Sequence, residues 1–170
     1  VDDMLARWIK PDGSDYEPKE VPVLEGAPVI KVALVSSREP QAFVINGEYA
    51  GLDVELIDTV LYNLGYRAEY LDMEFGAIAA AIESGKVSMT IGMYNTPERA
   101  EKILFTNPFF SNPQVLIARK AGGDTGLAYS ALSQLSGKPV AALTGALFDQ
   151  IVSGVLPDAQ FLYFNSSADE

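Results

Sequence analysis

The chain has 170 residues, 48% of them apolar, enough for a sizeable core, and its 23 acidic and 12 basic side chains give a net charge of −11. That balance argues against a nucleic-acid backbone or an anionic membrane surface as partner. With no cysteine and no histidine, disulfides, zinc fingers, iron–sulfur clusters, thiol nucleophiles and serine–histidine–aspartate chemistry are excluded, and no cofactor is expected.

Val1, Met4, Leu5, Trp8 and Ile9 recur at helical spacing, so Val1–Ile9 predicts an amphipathic helix. Lys10–Pro28 holds Pro11, Pro18, Pro22 and Pro28 with Gly13 and Gly26, which sustain neither a helix nor a central strand, and reads as a linker. Val29–Val35 is a β-branched run that predicts a buried strand; Ser36–Gln41 is then the loop at its C-terminal end, where open α/β sheets place ligands. Phe43–Tyr49, with Asn46-Gly47 at its centre, predicts a hairpin. Asp53 is expected to cap a helix whose residues Leu56, Val60, Leu61 and Leu64 share one face and which Gly65 closes. Tyr66–Met73 predicts a second strand, Glu74–Ser84 a helix with Phe75, Ile78, Ala79 and Ile82 on one side, and Val87–Gly92 a third strand.

Beyond Gly92, Thr96 carries a capping hydroxyl, Pro97 suits the first helical position and Glu98 favours the positive end of a helix. Arg99 falls in the first turn, where a guanidinium fork and unpaired amides together make a carboxylate site. A solvated arginine, or one paired with a nearby acid, is the alternative. Leu104–Lys120 predicts an extended crossover with Pro108 and Pro113 as its brackets, followed by a loop at Ala121–Gly126. A helix at Ala128–Leu135, a strand at Val140–Leu143, a helix at Gly145–Val152 and a strand at Phe161–Phe164 complete an alternating α/β pattern.

Three motifs stand in an order that resembles a known family. Gly92-x-x-x-Thr96-Pro97-Glu98-Arg99 with Phe105-Thr106-Asn107-Pro108-Phe109-Phe110 is similar to the G-x-x-x-T-x-x-R…F-S-x-P-Y-Y segment of the periplasmic amino-acid-binding proteins, solute-binding family 3, the receptors of bacterial ABC importers. Gly51-Leu52-Asp53-Val54-Glu55-Leu56 resembles that family's G-F-D-V-D-L, and Leu135-Ser136-Gly137-Lys138-Pro139-Val140 its L-x-G-K-x-V entry to the second lobe. The resemblance runs from about Val29 to Asn165 and implies an α/β periplasmic-binding-protein-like fold, the two-lobed flytrap. Its first lobe is expected near complete over 29–112 and its second lobe truncated over 113–170, after a helix and linker at 1–28. The leading helix is either the tail of a preceding binding domain or an N-terminal helix on its own domain.

The resemblance also implies site roles. Arg99 would take a ligand carboxylate, with Gly92 and Thr96 completing its shell; Phe75 would lie on the pocket wall unless it is simply core; Tyr94 replaces what is often a small hydroxyl residue and would narrow the pocket. Arg38 stands where the family commonly has an aromatic residue, to stack, to pair with an acid, or to be solvated in a loop. Ala146-Leu147 replaces the hydroxyl pair of a G-T-T loop, leaving Thr144 as a partial substitute on the second-lobe side. The implied function is non-catalytic binding of a small carboxylate-bearing solute, an amino acid or relative, with an ABC permease as partner and a periplasmic or extracellular location. A sensory receptor on the same fold, and an enzyme drawing on Glu39, Asp72 or Glu74, are the alternatives. Unfinished sheet edges in the C-terminal half lead to an expectation of self-association.

Overall fold

The computed structural model describes residues 1–111, 115–117 and 131–165. The expected loop at 121–126, the first three residues of the helix expected at 128–135, Pro113 and the strand end at Ala118 lie outside the described residues, and the described end of that helix is a 3₁₀ turn. In chain order the elements are α1 (Asp2–Trp8), β1 (Val29–Leu34), the hairpin β2 (Phe43–Ile45) and β3 (Glu48–Ala50), α2 (Leu52–Asn63), β4 (Arg67–Asp72), α3 (Phe75–Glu83), β5 (Met89–Thr90) and the single turn α4 (Pro97–Ala100). A 3₁₀ turn at Leu132–Leu135, then β6 (Pro139–Leu143), α5 (Phe148–Val155) and β7 (Gln160–Phe164), follow.

β1 is the centre of a parallel sheet ordered β4–β1–β5. It runs in register with β4 from Val29↔Arg67 to Leu34↔Asp72, and meets β5 at Val32↔Met89 and Ala33↔Thr90. Only the C-terminal half of the apolar run is buried: Val32 and Ala33 are wholly inaccessible, whereas Val29 and Lys31 are exposed. β5 is shorter than Val87–Gly92: only two residues pair, so the backbone is released early into a turn beneath α4. A second parallel pair, β6–β7, is in register from Pro139↔Gln160 to Leu143↔Phe164. Leu143, with Ala146 and Phe148 beside it, joins the cluster of Ala33, Val35, Phe75, Ile78, Ala81 and Val87, so one apolar core reaches from the first sheet to the second.

Two expectations for α2 are corrected. Its cap is Gly51, not Asp53: the first amides of the helix, Leu52 and Asp53, donate to the carbonyls of Pro40 and Gln41 at 3.0 and 2.9 Å, so the preceding loop performs the capping. Gly51 has φ +125°, and a Cβ there would clash with the Gln41 carbonyl, so only glycine fits. The buried face carries Leu52, Val54, Ile57 and Leu61, whereas Val60 and Leu64 are exposed. Residues 54, 57 and 61 keep the spacing of one helical face, and the expected stripe was turned from it by about one residue. In the C-terminal half, the helix expected at Gly145–Val152 begins only at Phe148 and continues to Val155.

α1 packs on the domain that follows it. Trp8, 2% exposed, meets Phe43 edge to face at 6.1 Å between ring centroids and Tyr16 at 5.5 Å. Its Nε1 donates to Glu55 Oε2 at 2.7 Å, and Arg7 forks onto the same carboxylate, Nη1 to Oε2 at 2.8 Å and Nη2 to Oε1. The Lys19 amide adds a donor at 3.2 Å. Burial alone would push the Glu55 carboxyl up, but these hydrogen bonds outweigh it and hold the group below the usual carboxylate range.

Candidate functional site

Strands β1 and β5 are parallel neighbours, so the loops leaving their C-terminal ends, Ser36–Gln41 and Ile91–Thr96, lie side by side. Thr96 caps the short α4 as the sequence predicts: its Oγ1 accepts from the Arg99 amide at 3.2 Å, with Pro97 at the first helical position. The cap turns the half-buried Arg99 side chain back over its own loop. There Nη1 donates to the Tyr94 carbonyl at 3.0 Å and Nη2 to the Gly145 carbonyl, from the loop after β6, at 2.6 Å. Its Cζ lies 5.7 Å from the centroid of the Phe75 ring, within cation–π range. Phe75 is buried in the shared core, so one ring both packs among Ala33, Ile78 and Val87 and carries the guanidinium. No ion pair among the described residues involves Arg99. Two backbone carbonyls accept its hydrogen bonds, and burial pulls its pKa down, with the charge of Glu98 opposing.

Arg38 reaches the same loop from the other side. The backbone of Arg38 and Ala42 exchange hydrogen bonds at 3.0 and 2.8 Å, which fixes the turn that carries it. Its guanidinium rests on Gly92, where a Cβ would stand 2.5 Å from Nη1. Behind it lies Asp53, 2% exposed, with Oδ2 3.9 Å from Nη1 and no hydrogen-bond partner of its own. Burial pushes the Asp53 carboxyl up to about 6, with Arg38 pulling the other way.

The remaining sequence candidates are distributed as follows. Tyr94 presents its carbonyl to Arg99 while its ring stays 40% exposed. Thr144 is exposed, and its amide is already spent on the Phe164 carbonyl at 2.8 Å, prolonging the β6–β7 ladder. Gly145 touches the first turn of α3: with φ +77°, a Cβ on it would stand 3.0 Å from the Gly76 Cα. The acids considered for catalysis are engaged or solvated. Asp72 accepts from the Ser36 amide at 3.0 Å and from its hydroxyl, Glu39 accepts from the Tyr16 hydroxyl at 3.0 Å, and Glu74 is an exposed helix cap. Two participants had escaped sequence reasoning, the Gly145 carbonyl and the buried Asp53. The first carries no side-chain signal. The second had one, an acid directly before an apolar helix, but that pattern reads as a cap.

The family model for bacterial extracellular solute-binding proteins, family 3, matches residues 30–160. The arginine-binding extracellular protein ArtP of Bacillus subtilis is 29% identical over 112 residues, covering 65% of this chain and 42% of that protein. ABC transporter arginine-binding protein 1 of Escherichia coli is 25% identical over 122 residues, covering 71% of this chain and 48% of that one. Among solved structures, an ancestral arginine-binding protein bound to arginine is 29% identical, with a TM-score of 0.74 over 83% of this chain and 62% of that chain. The chain thus spans about half the length of the curated relatives it matches. Its fold is the α/β, open-sheet, periplasmic-binding-protein-like one that the sequence motifs imply. By the match over residues 30–160, the chain belongs to the bacterial extracellular solute-binding proteins, family 3.

Proposed function

We propose that the chain is part of a non-catalytic receptor that binds a small carboxylate-bearing solute, an amino acid or relative, outside the cytoplasmic membrane and delivers it to an ABC permease. The observation that supports this most directly is Arg99, a half-buried guanidinium fork over an aromatic face with no carboxylate of its own among the described residues. A ligand carboxylate supplies the missing charge through two parallel hydrogen bonds. In this reading Phe75 forms the floor, Gly92, Tyr94 and Thr96 shape one wall, Arg38 flanks it, and Thr144 and Gly145 close from the opposite side.

Calorimetry on the intact protein tests the anchor. Arg99→Lys should weaken binding by about 2–4 kcal/mol, because a point charge cannot reproduce the fork, while the melting temperature changes little. Unchanged affinity, with the ligand carboxylate still required, refutes the role of Arg99.

The finer expectation of self-association rests on the second sheet. Among the described residues β6 and β7 pair only with each other, and Ile151, Val155, Leu162 and Tyr163 are exposed beside them. The 170-residue chain is expected to sediment above its monomer mass at tens of micromolar; a monomer there removes this part of the proposal.

A further inference from the structure

Arg99 has a second guanidinium beside it that holding one carboxylate does not require. Resting on the receptor reading above, we propose that the solute carries two acidic groups, one bound by Arg99 and the other by Arg38, making the ligand class dicarboxylic amino acids and similar short diacids.

Arg38 rests on Gly92 and Arg99 hydrogen-bonds to Tyr94. Two residues of extended chain span at most ~7 Å, so both guanidinium groups are anchored to points that a short diacid bridges. Arg99 gives one N–H from each terminal nitrogen to a carbonyl and keeps its remaining donors for a ligand. Arg38 spends none: among the described residues its guanidinium makes no hydrogen bond, and its one ionic neighbour, Asp53 Oδ2, stays 3.9 Å away. Its side chain is 24% exposed, so the unspent face of the fork reaches solvent on the loop that borders the site.

Behind Arg38 the buried carboxylate stands 3.9 Å away without a hydrogen bond, and in front it has no acceptor among the described residues, which is the arrangement of a cation positioned for a partner that arrives from outside. Two like charges that both rest on the 92–94 segment also repel each other, and a dianion relieves both at once. A ligand with a cationic side chain meets the opposite situation, since it would bring a third positive charge. Among the described acids Glu98 acts on Arg99 through its charge, Asp72 and Glu39 already accept hydrogen bonds from Ser36 and Tyr16, and Glu74 is exposed at the start of α3.

The test is calorimetry of the intact protein with L-glutamate, L-aspartate, L-glutamine and L-arginine, and with glutamate amidated at its α-carboxylate. Glutamate or aspartate should bind at least about tenfold tighter than glutamine, the effect of one hydrogen-bonded charge pair. Arg38→Gln should lower the ratio of glutamate to glutamine affinity by about tenfold. Three results overturn the inference: glutamine or arginine binding as tightly as the acidic pair, Arg38→Gln weakening glutamate and glutamine equally, or no binding of glutamate and aspartate at millimolar concentration. Failure of the underlying reading has a different signature, in which the α-amidated compound binds as well as glutamate. Binding of glutamine that needs its α-carboxylate, without preference for glutamate, leaves the receptor reading intact and removes only the second acidic group.

Discussion

Asp53 gives the sharpest quantitative test of the electrostatics around the cleft. Its carboxylate is 2% exposed, one oxygen lacks a hydrogen bond, and Arg38 is too far away to compensate fully. Burial therefore raises the carboxyl from 3.8 to about 6. The folded protein binds this proton more tightly than the unfolded chain does, so between these two pH values folding takes up a proton and stability falls as pH rises. At 1.36 kcal/mol per pH decade, the ionised group destabilises the fold above pH 6 by about 3 kcal/mol relative to its neutral form. Asp53→Asn removes the titration and keeps the shape. Its pH-independent effects, including the amide left facing Arg38, cancel if the unfolding free energies of variant and native protein are subtracted at each pH. Urea unfolding followed by circular dichroism from pH 3.5 to 7.5 should show that difference moving in favour of the variant by about 3 kcal/mol, with most of the change between pH 4 and 6. A flat difference refutes the desolvation argument. A difference moving the other way means that Arg38 closes onto Asp53 in solution and that the carboxylate stabilises the fold.

The N-terminal clasp and the α2 cap carry two further predictions. Glu55→Gln replaces a charged acceptor of four hydrogen bonds and leaves Arg7 with only Asp3 and the Glu17 carbonyl; it should destabilise the protein by about 1–3 kcal/mol in urea unfolding at pH 7, and no measurable loss speaks against a closed clasp. The Glu55 carboxyl is held below its unfolded value, so the native clasp should contribute fully above that value and weaken as acid protonates the folded carboxylate, a loss that Glu55→Gln abolishes. Gly51→Ala must leave φ +125° or displace the Gln41 carbonyl, and should lower stability by about 1–3 kcal/mol by thermal melting. An alanine variant that melts with the native protein would show that the loop gives way freely.

What was legible in the sequence is what depends on neighbours along the chain. The β-branched run of β1 is the central strand, Asn46-Gly47 turns the hairpin with both residues at positive φ, and Thr96-Pro97 opens α4. The motif around Arg99 located the loop, but not what the guanidinium touches there. Its second acceptor is a carbonyl 46 residues away, and a backbone group has no sequence signature. Asp53 and Glu55 show the same limit. Both lie in the first turn of α2, where acids ordinarily face water and favour the helix dipole, yet each is buried by something remote, the loop bearing Arg38 in one case and α1 in the other. The misjudged face of α2 has a related cause: apolar residues lie nearly all round this helix, and only the position of the sheet decides which of them are inside.

If Arg99 anchors the solute as proposed, its hydrogen bond to the Gly145 carbonyl sets a competitor for one nitrogen of the fork. Nη2 already donates to a group belonging to the loop after β6, so a solute that took the same N–H would compete with that carbonyl. Every measured affinity is then a difference between two occupants of one fork, and the incumbent is a neutral dipole. An incoming amide merely matches that dipole, while a carboxylate exceeds it by a full charge. On that reading a preference for a carboxylate over its amide at this fork would arise from the competition itself. The same carbonyl offers a route out, because on its return it can take over the guanidinium as the solute leaves, and a buried cation need not be left bare during exchange.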